Sequence, residues 1–184
     1  MNPPPAGIET ERLLLRAYEP GDAAAFAALL ERSRDHLAAF IPFFLGGDPR
    51  ERLAKYADEF AAGVSFSYGA FLGDQLVGGG GLLPRIGPGA LEIGYHVHVD
   101  HVRRGFATEI ARALVRIGFE VCGADRLEMH IDPGNLASLG VARKLGFAET
   151  GYDAEASVAI FSRVRSARVS SVTSACASES ASGG

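Results

Sequence analysis

The amino-acid sequence predicts a single α/β domain in which helices flank a mixed central sheet. Its 184 residues fit one domain, and 47% hydrophobic with 22% charged residues is an ordinary globular composition. Short apolar runs alternate with longer stretches of helical periodicity, and this alternation is typical of α/β proteins. The elements predicted in chain order are β-α-α-β-β-β-α-β-α-β-β, and no internal repeat is visible.

The first half of the chain predicts one strand, two helices and a hairpin. An apolar run at residues 12–18 is bounded by turn residues, which indicates a buried strand. Asp22 is the expected N-cap of the first helix, and Asp48, which a proline follows, is that of the second. Gly73 and Asp74 then predict a tight turn between the next two strands.

The second half of the chain predicts four strands and two helices. Residues 90–99 read as the first of these strands, and the helices begin after Gly105 and at Asn135. Four consecutive glycines, residues 78–81, lie inside the preceding strand with no lysine or serine directly after them. That setting favours a bulge or a close backbone approach over a phosphate-binding loop.

Composition and charge argue against several classes of protein. A formal net charge of −4 gives no indication of a nucleic-acid partner. Cys122 and Cys176 lie far apart, so neither a disulfide framework nor a zinc motif is indicated. No signal pattern or apolar run of about 18 residues is visible, and we expect a cytoplasmic protein without a membrane partner. Residues 9–165 are the expected domain, and the Ser/Ala/Gly-rich residues 166–184 an expected disordered tail.

A strand-to-helix junction at residues 99–110, VDHVRRGFATEI, is the first candidate for a ligand site. The start of a helix leaves backbone amides unpaired and carries partial positive charge, so phosphate groups bind there readily. Gly105 lets a ligand approach the backbone closely, and Arg103 and Arg104 add positive charge. The alternative is a glycine turn before an amphipathic helix with two solvated arginines. The residues of this stretch alone fit both the anion site and the simple turn.

The strand before that junction, EIGYHVHV, carries polar side chains on one face. Alternation along a strand places Glu92, Gly94, His96 and His98 on the same side. Two histidines two residues apart on a strand can bind zinc, but no cysteine is near and no supporting carboxylate can be assigned. We therefore expect no metal ion.

Five segments of the chain, taken in order, resemble the GCN5-related N-acetyltransferase (GNAT) family, in particular its RimJ/RimL-type branch. The resemblance covers residues 9–164. Each segment alone is weak evidence, and the shared order makes the resemblance specific. The segments are ETERLLLR, RDHLAAFIPF, EIGY, GFATE and NLASLGVARKLGF.

The resemblance implies the single-domain mixed sheet of that family and an acetyl-CoA-dependent N-acetyltransferase activity. The acetyl group would pass directly to a primary amine within a ternary complex, without a metal ion. The amine would be a protein N-terminus or a small molecule. A GNAT-fold module that binds CoA without catalysis is the alternative.

In that family the turn corresponding to GFATE holds the pyrophosphate of acetyl-CoA. The resemblance implies that backbone amides bind it here and that Thr108 caps the same helix. Val102 stands where the family usually has glutamine or arginine, so the implied contacts come from the backbone. The residues implied are Arg103, Arg104, Gly105, Phe106 and Ala107.

The resemblance also implies roles for the EIGY strand and for the helix that starts at Asn135. In the family this strand separates from its neighbour, and its backbone pairs with the pantetheine arm of CoA. That role would fall to the backbone of His96, Val97 and Val99, and Asn135 would contact the CoA arm as well. Glu92 or His96 would accept a proton from the amine.

A hydroxyl is expected to assist the leaving thiolate. Where the family usually has a tyrosine for this role, the chain has Ala142. Ser138 matches the NxxS pattern and is the implied acid or hydrogen-bond donor, the alternative being a helix-cap serine. The C-terminal hairpin is shorter than in the family, and its Asp153 and Glu155 either attract a cationic amine or serve as turn residues.

Overall fold

Eight strands form one sheet at the centre of the molecule. The computed structural model describes residues 1–166, so the expected tail at residues 166–184 lies outside the described residues from residue 167 onward. The strands are β1 (Gly7–Glu9), β2 (Leu14–Ala17), β3 (Phe66–Leu72), β4 (Gln75–Leu83), β5 (Ala90–Val97), β6 (Arg126–Ile131), β7 (Ala148–Asp153) and β8 (Val158–Val164). Across the sheet their order is β1-β2-β3-β4-β5-β6-β8-β7. Every neighbouring pair is antiparallel except β5 with β6.

Helices cover both faces of this sheet. They are α1 (Ala23–Arg32), α2 (Arg34–Ala38), α3 (Pro49–Ala61), α4 (Phe106–Glu120) and α5 (Leu136–Lys144). α1 and α3 lie over β2, β3 and β4, whereas α4 lies over β4, β5 and β6 on the other face and α5 packs beside it. Within the described residues, no helix combines the length and the apolar character needed to span a bilayer.

The predicted mixed α/β sheet is confirmed, with two local differences. Residues Gly7–Glu9 add an edge strand that is too short to show a periodic pattern in the sequence. The first predicted helix is divided at Ser33, whose φ of −99° and ψ of 7° leave the helical region. The Ser33 side chain is buried, and its hydroxyl accepts a hydrogen bond from the Val99 N–H at 3.0 Å. The break in the helix therefore lies where Ser33 contacts a distant part of the chain.

Both predicted helix caps stand at the N-cap position, but only Asp48 caps its helix with its side chain. The Asp48 carboxylate accepts a hydrogen bond of 2.7 Å from the first turn of α3. The Asp22 carboxylate instead pairs with the Arg16 guanidinium of β2 at 2.7 Å. Burial alone would raise the pKa of Asp22, but hydrogen bonds from Arg16 and from the Glu19 backbone bring it below its ordinary value.

The glycine run in β4 allows close packing on both faces of the sheet. A Cβ on Gly79 would lie 2.5 Å from the Tyr18 hydroxyl and 2.8 Å from the His96 ring. A Cβ on Gly80 would lie 2.9 Å from a methyl group of Leu114 in α4, on the opposite face. The predicted close approach is confirmed, and the register of the β3–β4 pair also shifts at a bulge.

Gly79→Ala is expected to lower the free energy of unfolding by about 1–3 kcal/mol, because buried rings must move to admit a methyl group. Gly140→Ala is the matched control. Gly140 lies inside α5 with open space around it, so alanine is expected to stabilise the protein by up to about 1 kcal/mol. Urea unfolding followed by circular dichroism measures both changes. A Gly79→Ala variant as stable as the wild type would contradict this packing.

Candidate active site

Strands β5 and β6 separate after a short stretch of parallel pairing. They are paired at only three positions, the last of which joins Glu92 to Glu128. β5 nevertheless continues to Val97, and β6 continues to Ile131. The separation that the family resemblance implies is therefore confirmed. A gap opens between two central strands, and backbone groups that would pair across it are left for another partner.

The register of β5 decides which of its backbone groups face this gap. The His98 N–H donates to the carbonyl of Val77 in β4 at 2.9 Å. Backbone direction alternates along a strand, so the backbone of His96 also points to β4. The groups of Tyr95 and Val97 point the other way, into the gap. The backbone of Val97 is thus in the position expected for it, and the expectation for the His96 backbone is corrected.

Val99 lies beyond the end of β5, in a 3₁₀ turn at Val99–His101. Its N–H donates to the Ser33 hydroxyl, so this amide is occupied and its expected contact with a ligand is corrected. Asp100 in the same turn pairs with Arg32 of α1 at 3.2 Å. The segment between β5 and α4 is thereby anchored to the helices on one face of the sheet.

The turn before α4 has the backbone geometry of an anion-binding site. Arg103 has a φ of 61° and Gly105 a φ of 84°, and amides in such turns form concave anion sites. α4 begins at Phe106, and among the described residues no side chain caps it. Thr108 lies inside the first helical turn, which corrects its expected role as the cap. The amides at the start of α4 are therefore available to an anion.

A charged network from the β1–β2 turn holds the turn before α4 in place. Glu109 of α4 accepts hydrogen bonds from the Thr10 hydroxyl at 2.7 Å and from Arg12 Nε at 2.8 Å. Arg12 Nη1 donates to the carbonyl of Arg104 at 2.9 Å, and its guanidinium lies over the ring of Phe106. Burial alone would raise the pKa of Glu109, but the bonds from Thr10 and Arg12 lower it overall.

The His96 side chain is buried on the face of the sheet that α1 and α3 cover. Its ring lies 4.5 Å from the ring of Phe44, between centroids, and its Nε2 has no hydrogen-bond partner in residues 1–166. Burial and the nearby charge of Arg52 lower the pKa of His96 to about 4. His96 is therefore uncharged near neutral pH, and a proton on it would be unfavourable.

Glu92 lies at the last paired position of β5, where the gap begins. Its two carboxylate oxygens accept hydrogen bonds from the Arg85 guanidinium at 2.6 and 2.7 Å. His130 of β6 lies on the same face, with Nδ1 3.9 Å from Glu92 Oε2 and Nε2 3.0 Å from Glu128 Oε2. Glu92 thus belongs to a cluster of charged side chains that bridges β5 and β6.

Two hydroxyl groups lie together on the opposite face of the sheet. Asn135 caps α5 by accepting the Ser138 N–H at 3.1 Å, so the alternative of a cap formed by the Ser138 side chain is wrong. The Tyr95 hydroxyl is buried without a hydrogen-bond partner among the described residues. Burial raises the pKa of Tyr95, and the nearby Ser138 hydroxyl offsets part of that rise. Ala142, which stands where the family usually has a tyrosine, is fully buried.

Other polar residues singled out in the sequence serve the local backbone. Asp153 accepts hydrogen bonds from the N–H groups of Glu155 at 2.9 Å and Ala156 at 3.0 Å, as a turn residue does. The His98 ring accepts the N–H of Asp100 at 3.1 Å. Over residues 1–166, no group of three or more His, Cys, Asp or Glu side chains is arranged to hold a metal ion.

Three residues to which the sequence assigned no role in the reaction stand in this site, namely Arg85, Tyr95 and His130. Tyr95 and His130 border the gap because β5 and β6 separate, and a pattern along the chain does not show where two strands separate. Arg12 and Glu109 had a signal in the sequence, because both lie inside segments that carry the family resemblance.

Comparison with known proteins assigns this architecture to a family. Residues 12–148 match the model of the acetyltransferase (GNAT) domain. The chain therefore belongs to the GNAT acetyltransferase family, as its sequence resemblance predicted.

Individual relatives agree with this assignment. The probable N-acetyltransferase YjcK of Bacillus subtilis (strain 168) is 27% identical over 154 residues, which cover 78% of this chain and 84% of YjcK. The structure of RimL, a ribosomal L7/L12 α-N-protein acetyltransferase in complex with CoA, superposes with a TM-score of 0.77 at 20% identity. That match covers 86% of this chain and 97% of RimL. MccE, a microcin C7 self-immunity acetyltransferase in complex with acetyl-CoA and AMP, gives a TM-score of 0.76 at 16% identity, covering 89% and 99% of the two chains.

Gly105→Val is expected to weaken CoA binding by about tenfold or more, equivalent to about 1.4 kcal/mol. Valine disfavours the left-handed backbone that Gly105 adopts, and its Cβ would lie 3.3 Å from Arg12 Nη2. Gly63→Val imposes the same backbone strain at a φ of 69° beyond the end of α3, with no neighbour within 4 Å, and serves as control. Isothermal titration calorimetry with CoA measures the difference. Equal affinities for the two variants would contradict the anion site.

Glu109→Gln is expected to cost about 1.5–3 kcal/mol of stability at pH 7, because hydrogen bonds to a charged group are lost. The folded-state pKa of Glu109 lies below its ordinary value of 4.5, so this stabilisation is lost as the pH falls through that lower pKa. The difference between variant and wild type therefore shrinks at acid pH. Urea unfolding at pH 7 and pH 3 tests this, with the exposed Glu120→Gln in the same helix as control.

Proposed function

We propose that this acetyltransferase passes the acetyl group of acetyl-CoA directly to a primary amine while both substrates are bound. The gap between β5 and β6 carries this proposal. An anion-binding turn follows β5, Ser138 lies on one face of the gap, and Glu92 lies on the other. Two substrates can therefore approach the same point from opposite faces of the sheet.

Acetyl-CoA fits the face that carries α4 and α5. The amides of residues 103–107 would bind its pyrophosphate, and the exposed side chains of Arg103 and Arg104 would add positive charge. The Val97 amide faces the gap, where the pantetheine arm would lie along β5. Asn135 at the start of α5 borders the same face. Use of acetyl-CoA is also supported by RimL and MccE, whose structures contain CoA and acetyl-CoA.

The reaction forms a bond between the amine nitrogen and the acetyl carbon, breaks the bond from that carbon to sulfur, and releases one proton from the amine. The Val97 N–H would bind the oxygen that becomes negative in the intermediate. One such donor is worth about 2.7–4 kcal/mol of transition-state stabilisation. Ser138, with the Tyr95 hydroxyl beside it, would supply a proton or hydrogen bond to the thiolate.

Of the two expected bases, Glu92 is better placed than His96. Glu92 borders the gap, whereas His96 lies buried against Phe44 and resists protonation because its pKa is lowered. The acceptor is a protein N-terminus or a small amine. RimL, which has the same fold, acts on the α-amino group of a ribosomal protein according to its name, and this favours a protein N-terminus here.

Thiol release from acetyl-CoA, measured against a panel of N-terminal peptides and small amines, tests the proposal. We expect turnover with at least one amine, and mass spectrometry should find the acetyl group on its nitrogen. Tight CoA binding without turnover on any acceptor would support the non-catalytic module instead. A chain that does not bind acetyl-CoA would contradict both.

Ser138→Ala is expected to lower kcat by about a hundredfold, in keeping with the usual size of general acid catalysis. The affinity for CoA should change little, because the Asn135 cap uses the backbone of residue 138 and leaves its hydroxyl out. Ser65→Ala, outside the site, is the control. A variant with wild-type kcat would exclude the Ser138 hydroxyl from the reaction.

A further inference from the structure

Gly94 leaves open space beside it, here named the hollow, on the face of the sheet that carries Glu92. Within the described part of the chain, a Cβ on Gly94 would have a single neighbour within 4 Å, Leu83 Cδ1 at 4.0 Å. The last paired position joins Glu92 to Glu128, and two residues further along each strand lie Gly94 and His130. The hollow is therefore bounded by His130 across the gap and by Glu92 at its closed end.

The ion pair with Arg85 restricts what Glu92 can do in this hollow. Both carboxylate oxygens accept short hydrogen bonds from one guanidinium, and the Glu92 side chain is 8% exposed. Such bidentate pairs are strong and geometrically specific. Glu92 is therefore held in one orientation as a carboxylate that can attract a positively charged group.

His130 has the arrangement of a base that a carboxylate orients. Its Nε2 lies 3.0 Å from Glu128 Oε2, and the carboxylate can only accept, so Nε2 carries the hydrogen in this pair. In the neutral ring Nδ1 then holds the free lone pair, and this nitrogen lies 3.9 Å from Glu92 Oε2. Arg126 forms an ion pair of 2.8 Å with the other oxygen of Glu128 and so fixes that carboxylate.

We propose that the hollow over Gly94 binds the amine acceptor and that His130 Nδ1, in place of Glu92, accepts its proton. This rests on the proposed acetyl transfer. As the nitrogen bonds to the acetyl carbon, its proton passes to Nδ1, and the electrons of the broken carbon–sulfur bond stay on the thiolate. Glu92 and Glu128 lie on either side of the resulting imidazolium and stabilise its charge. The ring later returns the proton to solvent through its exposed edge, since 24% of the side chain is accessible.

His130→Ala tests the proton transfer. We expect kcat to fall by about a hundredfold or more with an unchanged Kd for CoA, and imidazole added to the assay should restore part of the rate. His36→Ala, at an exposed position in α2, is the matched control and should keep wild-type kinetics. A kcat within threefold of wild type, or a loss that imidazole does not restore, would overturn the assignment.

Gly94→Ala tests the hollow by a different readout. The backbone there accommodates alanine, so the fold and CoA binding should be preserved while the KM for the amine rises by about tenfold. An unchanged KM would overturn the acceptor position. The wild type is assayed before either variant. If it acetylates no amine at all, the proposed function itself fails.

Discussion

The separation of β5 from β6 sets the position of the candidate functional groups. Inside a sheet, backbone groups of neighbouring strands normally satisfy one another. Here the parallel pairing stops after Glu92 and Glu128, while β4 and β8 keep the outer edges of both strands paired. The gap consequently stays open without loss of the sheet. It exposes backbone donors of Tyr95 and Val97 and brings side chains from both faces close to one point.

Ion pairs between distant parts of the chain hold the residues around this gap. Arg12, from the turn between the first two strands, fixes Glu109 and the carbonyl of Arg104 at the start of α4. Arg85, from the loop before β5, fixes Glu92. In both cases an arginine neutralises a carboxylate and at the same time sets its direction. The carboxylates of the candidate site are thus oriented by arginines from loops outside the elements that carry them.

Local features of the fold could be predicted because their causes lie within a few residues. The Asp48 cap, the Gly73–Asp74 turn and the helix start after Gly105 each follow from local backbone chemistry. Asp22 holds the N-cap position for the same local reason, but its carboxylate pairs with Arg16 of β2 instead of capping the helix. Val99 likewise looked available to a ligand until Ser33, 66 residues earlier, proved to accept its N–H.

Sequence alone was enough to predict the α/β class, the order of most elements, the family and the helix start after Gly105. Each of these depends on periodicity or on short motifs whose parts are neighbours along the chain. The three-dimensional fold was needed to establish which β5 amides face the gap, that His96 is buried, and that His130 lies across from Gly94. Strand register, and the point at which two paired strands separate, depend on contacts between residues far apart in the sequence. No local pattern can therefore predict them.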